Sequence, residues 1–135
     1  MNESIKLTIP RARPYVGVAR LVVGGLAARL ELPYDALEDV HLALDGLLAN
    51  DAYAAGERVT IEVELDGRVL AVSVGPLEPG RLESDLGSGS DDVQGVGLGR
   101  LLGTVMAGHD IEHREDGEFL RMRKELPAAA AEGAR

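Results

Sequence analysis

Apolar and polar residues change period several times along this chain, and each change marks an element. Ile5-Lys6-Leu7-Thr8-Ile9 alternates with period two, which predicts a strand with Ile5, Leu7 and Ile9 inward, closed off by Pro10 and Pro14. From Tyr15 to Leu30 the spacing is helical, with Tyr15, Val18, Ala19, Val22, Leu26 and Leu30 on one stripe. Arg20 falls off that stripe and is expected to reach solvent. Gly24-Gly25 sits mid-helix at a cost of about 1 kcal/mol each relative to alanine, so close packing is expected there. A second helix begins near Pro33, with Asp35, Glu38 and Asp39 near its positive end, and stops before Gly56. Leu37, Val40, Leu44, Leu47 and Leu48 form its buried face. Asp39, Ala43, Gly46 and Asn50 share another side, which reads as the wall of a site. Asp51 projects near the centre of the apolar stripe, either as an early helix end or as a buried polar contact.

Val59, Ile61, Val63 and Leu65 alternate with polar residues, Asp66-Gly67 supplies a two-residue turn, and Val69–Val74 returns with Leu70, Val72 and Val74 inward. Residues 75–94 are rich in Gly, Pro, Ser and Asp and are expected to form a long mobile loop, either a lid or a passive tether. A third helix follows from Leu98 to Ala107, introduced by Gly95, Gly97 and Gly99. Asp110–Arg114 and Phe119–Lys124 pair across Asp116-Gly117 as a second hairpin. The Ala-rich stretch after Pro127 is expected to be a disordered tail, so the folded domain is 1–126 and the tail 127–135. Regular βα alternation is missing. The order implies an α+β two-layer sandwich, a mostly antiparallel sheet of about five strands with helices on one face.

Composition narrows the function. The chain has 135 residues, 45% of them hydrophobic, which suits one domain with a real core. Its net charge of -9 is unevenly spread, with +4 in residues 1–30, -11 in 31–100 and -2 in the remainder. An acidic body argues against direct nucleic-acid binding, whereas the basic first segment can meet an acidic protein. Cysteine is absent, which removes disulfides, thiolate metal clusters and a cysteine nucleophile. No signal peptide or membrane-length apolar run stands out, and Arg20 and Arg29 interrupt Val16–Leu30, so a cytoplasmic location without membrane contact is expected. His109 and His113 share a strand face with Ile111 between them, and His41 lies on the second helix. No third ligand converges with them to make a metal site.

The element order, the IPRARPYVGVARLVV opening, the second helix ending in Asn50 and the glycines at 95–99 together carry a resemblance over about residues 4–126. The chain resembles the anti-sigma-factor serine kinases, bacterial transcription regulators of the GHKL superfamily with the Bergerat, or histidine kinase-like ATPase, fold. The resemblance implies ATP and Mg²⁺ as cofactors, and a sigma factor and an anti-anti-sigma factor as partners. Asn50 matches the family's magnesium asparagine, a reasonable oxygen ligand for an ion that keeps its waters and phosphates. Gly95, Gly97 and Gly99 match the glycine turn beside the phosphates, where backbone N–H groups at a helix N-terminus favour anions. Gly80 matches the last glycine of the box that follows the central hairpin. Arg20 matches an arginine presented to the sigma factor.

Two positions depart from the family. Gly46 stands where the resemblance expects a glutamate, the candidate general base for a substrate serine. Asp45 cannot replace it, because one residue rotates a side chain by about 100° around a helix. Pro76 stands where an aspartate would accept a hydrogen bond from the adenine amino group, and proline offers no side-chain acceptor. The expectation is therefore a regulator that acts mainly by binding its partner, with kinase activity weak or lost. An active ATP–Mg²⁺-dependent serine kinase is the alternative. Homodimerisation through exposed parts of the sheet and helices is a further expectation.

Overall fold

In the computed structural model, which describes residues 2–49, 53–88 and 98–126, nine elements follow one another. They are β1 (Asn2–Pro10), α1 (Arg13–Arg29), α2 (Tyr34–Leu48), β2 (Arg58–Asp66), β3 (Val69–Leu77), α3 (Arg81–Ser88), α4 (Leu98–Val105), β4 (Gly108–Arg114) and β5 (Gly117–Glu125). The strands form one antiparallel sheet in the order β1-β2-β3-β5-β4. Period-two alternation splits its two faces. Ile9, Val59, Ile61, Val63, Leu70, Val72, Val74, Leu120 and Met122 join the helices in one core. The other face carries charge pairs, among them Arg114–Glu62 at 3.0 Å and Arg123–Asp110 at 2.6 Å. This is the expected α+β sandwich with five strands and helices on one face.

Several local expectations need correction. Pro14 does not close the strand. It lies in the first turn of α1, where its missing N–H costs nothing. The buried stripe of α1 is Ala19, Val23 and Ala27, while Tyr15 and Val18 face outward. A helix apolar on nearly every side leaves that choice to its neighbours, and the small Ala19 and Ala27 let α1 lie close to the sheet. A Cβ placed on Gly24 or Gly25 meets nothing within 4 Å, so neither glycine is there for close packing within the domain. The first hairpin turns on Gly67-Arg68, with Asp66 still paired to Val69 and Gly67 at φ 64°. The second turns on Glu115-Asp116, because Arg114 pairs with Gly117. Residues 75–94 are not all loop. β3 continues to Leu77, and α3 follows, because Leu82 finds complete burial in the core. Helix α4 ends at Val105, short of Ala107. Asp51 and the tail beyond Pro127 lie outside the described residues.

One polar contact pins the two layers together. Lys124, on the inner face of β5, donates to the Val105 carbonyl at 2.9 Å and pairs with Asp39 of α2. A cation beside the last carbonyls of α4 also suits the negative end of that helix. Lys124→Met keeps the side-chain stem but leaves Asp39 half-buried without its partner. Stability is expected to fall by about 1–3 kcal/mol, read as a lower urea midpoint at unchanged slope.

Candidate functional site

The face of α2 that the sequence marks as a site wall holds Asp39, Ala43 and Gly46, and the fold covers it. Ala43 is fully buried. A Cβ on Gly46 would lie 3.1 Å from Leu101 Cδ2 and 3.5 Å from Leu98 Cδ1, so α4 leans directly on the glycine. The cause is apolar packing. Helix α4 places Leu98, Leu102 and Val105 in the core, and the small residues of α2 allow it to come close. At Gly46 the expected site wall is therefore a helix–helix contact, while Asp39 on the same side meets Lys124 of β5. Of the residues named for phosphate and magnesium, Asn50, Gly95 and Gly97 lie outside the described residues. Gly99 lies within the first turn of α4, and a Cβ on it would sit 3.6 Å from Leu86 Cδ2 of α3.

The other end of the expected site lies where β3 meets β5. A bulge between Val74 and Leu77 carries Pro76, which packs toward the start of β5, as a Cβ on Gly117 would come within 2.7 Å of Pro76 Cβ. Gly80 is exposed at φ 81°, and its N–H lies 3.4 Å from Glu118 Oε1. Glu118 is only 8% exposed, pairs across the strands with Leu77, and has His113 Nδ1 3.5 Å from its Oε2. Sequence reasoning missed this carboxylate, since a glutamate beside an Asp-Gly turn looks solvated. The usable signal was alternation, which sets Glu118 on the face of Leu120 and Met122. Also missed was Tyr53, buried after α2, whose hydroxyl donates to Asp85 Oδ2 of α3 at 2.5 Å. Among the described residues no cluster of three His, Cys, Asp or Glu side chains converges as a metal site.

Arg20 does not simply reach solvent. Its Nη1 bonds Asp45 Oδ2 at 2.7 Å, joining α1 to α2, and 41% of its side chain stays exposed. Nearby, Arg11 Nη2 donates to the Leu47 carbonyl at 2.8 Å and caps the end of α2. The outer side of α1 is apolar and basic. Tyr15, Val18 and Leu21 are exposed, Leu21 by 77%, and no acid occurs between Glu3 and Glu31. Arg13 and Arg29 flank this strip.

The chain matches no protein-family model. It is 33% identical over 144 residues to the serine-protein kinase RsbW of Halalkalibacterium halodurans, covering 92% of this chain and 84% of that protein. The chain belongs to the RsbW family. Shorter stretches match the RsbW kinases of Listeria innocua, 32% identical over 79 residues (55% of this chain, 50% of that protein), and Oceanobacillus iheyensis, 37% over 48 residues (36% and 30%). The crystal structure of the RsbU and RsbW domains of Rv1364c from Mycobacterium tuberculosis superposes with a TM-score of 0.66 over 92% of this chain at 15% identity. At that identity the likeness speaks for the fold, and this chain spans 32% of that longer one. As an RsbW family member, it keeps the antiparallel sheet and its helical layer while two positions of the expected nucleotide site hold glycine and proline. No helix among the described residues is long and apolar enough to cross a membrane.

Proposed function

We propose that this RsbW-family chain is a cytoplasmic transcription regulator that binds a sigma factor or an anti-anti-sigma partner, with serine-kinase activity weak or lost. The observation that carries this reading is the contact of Gly46 with Leu98 and Leu101, where a general base would need both a carboxylate and access to a substrate hydroxyl. The described residues fit ATP–Mg²⁺ poorly. Gly46 supplies no acid, Pro76 no acceptor, and leucines of α4 stand against the α2 wall. When bound, ATP–Mg²⁺ would supply the transferable phosphoryl group, with Asn50 and the glycines at 80, 95, 97 and 99 as its candidate contacts. A missing base typically costs about 10²- to 10⁴-fold in rate.

The proposed partner face is the outer side of α1, where exposed apolar residues lie between basic ends. An acidic amphipathic helix would satisfy both features. Arg20 belongs to this region, half-exposed and already oriented by Asp45. The folded unit is proposed to end near Leu126, whose N–H bonds the Arg68 carbonyl at 2.7 Å. Glu118 favours the second reading, an active kinase with an altered site, because it places a buried carboxylate one strand away from Pro76.

Calorimetry with ATP–Mg²⁺, followed by an assay of γ-phosphate transfer to an anti-anti-sigma protein, separates the two. The regulator reading expects no saturable micromolar binding, no phosphoserine, and a stable complex with a sigma factor. Tight nucleotide binding with transfer would establish the kinase instead.

A further inference from the structure

We infer that the α2 face beneath α4 is a permanent packing seat, so that partner binding by this protein does not depend on nucleotide. The inference rests on the regulator reading above and adds how that regulator is controlled. Three elements hold α4 in place. From α2, Gly46 receives Leu98 and Leu101, while Ala43 of α2 and Leu102 of α4 are both fully buried. From α3, Leu86 lies against Gly99, and α3 is itself docked through buried Leu82 and through Asp85 on the Tyr53 hydroxyl. From β5, Lys124 holds the Val105 carbonyl at the end of α4.

Opening this seat for a nucleotide would return several leucines to water and break the Lys124 contact, and among the described residues that side of α2 offers only Asp39, already paired with Lys124, as a polar group. Interiors packed in this way switch between discrete arrangements rather than deform gradually. Gly46 then has a positive role. Its lack of a side chain is what admits Leu101, and a glutamate there would direct a carboxylate at two leucines.

The experiment is a double-mutant cycle in the full chain with Gly46→Glu and Leu101→Ala, read by thermal unfolding with and without millimolar ATP–Mg²⁺. Gly46→Glu is expected to lower Tm by about 5 °C or more, given the few degrees that each 1 kcal/mol is worth at this size. Leu101→Ala alone also lowers it. The double variant loses less than the sum, because alanine gives the glutamate room. ATP–Mg²⁺ leaves the wild-type Tm unchanged, and hydrogen exchange of the α4 amides is the same with and without it. Gly46→Ala, which adds only the 3.1 Å contact, replaces Gly46→Glu in the cycle if that variant does not fold. Additive losses, or a wild-type Tm raised by ATP–Mg²⁺, would overturn the inference. Absence of a sigma-factor complex in the assay above would remove the regulator reading and leave these melting results standing.

Discussion

Replacing Gly75 with alanine is expected to cost this domain about 3 kcal/mol or more, enough to unfold a large share of it at 37 °C. The added Cβ would lie 2.5 Å from Phe119 Cγ and 2.7 Å from the Glu118 carbonyl oxygen. One obstacle is a ring and the other is backbone, so neither can turn aside as a flexible side-chain end would. Phe119 is also held by the Arg114 guanidinium, 4.0 Å from the ring centroid, and Arg114 is in turn bonded to Glu62 and Glu112. The aromatic ring thus fills the space above a glycine of the neighbouring strand, and moving it disturbs the charge pairs on the outer sheet face. Urea unfolding followed by circular dichroism reads the loss. Gly103→Ala is the control, since its Cβ meets nothing within 4 Å and alanine is the better helix former. Equal stability of the two variants would show that β5 can shift away from β3.

Leu21→Asp should act on binding and leave the fold alone. With Leu21 77% exposed, the substitution is expected to change stability by no more than about 0.5 kcal/mol. At the centre of an interface an apolar anchor is worth about 2 kcal/mol, so affinity for the sigma-factor or anti-anti-sigma partner should fall by roughly 30-fold. An acid here also works against Arg13 and Arg29, whose attraction for an acidic partner it offsets. Titration of the purified partner against wild type and variant measures the change. Unchanged affinity would move the interface off α1. Light scattering that shows a wild-type dimer dispersed by Leu21→Asp would instead assign this face to a second copy of the chain.

Much of the fold was legible in the sequence because strand alternation is a strong, short-range signal. Both hairpins and the inward residues of β2 and β3 follow from it directly, and the buried leucines of α2 follow from helical spacing in the same way. The turn positions slipped by one residue, since Asp-Gly names the turn but ladder pairing decides which two residues it excludes. Helix α3 was hidden for a different reason. Leu82 and Leu86 are two apolar positions in a polar stretch, too few to show a period, and α3 draws its stability from burial of Leu82 rather than from its own sequence.

The candidate site divides in the same way. Gly46 and Pro76 stood out in the sequence against the expected motif, because the identity of a residue needs no coordinates. What surrounds them was not. Periodicity says that Asp39, Ala43 and Gly46 share a side, yet it cannot say whether water, a ligand or another helix meets that side. Glu118 and Leu101 reach the region from elements far along the chain, and only the pairing of β5 with β3 and the seating of α4 on α2 bring them there.

By itself the sequence determined the class of fold, the strand faces and the acid-free first helix, and it set glycine and proline at two positions of the expected site. Tertiary structure decided which face of α1 is buried, that Arg20 turns back to Asp45, and that α4 covers the α2 wall. The physical reason is that local pattern records which residues lie together on an element, whereas their surroundings depend on which apolar surfaces, all competing for burial, finally meet.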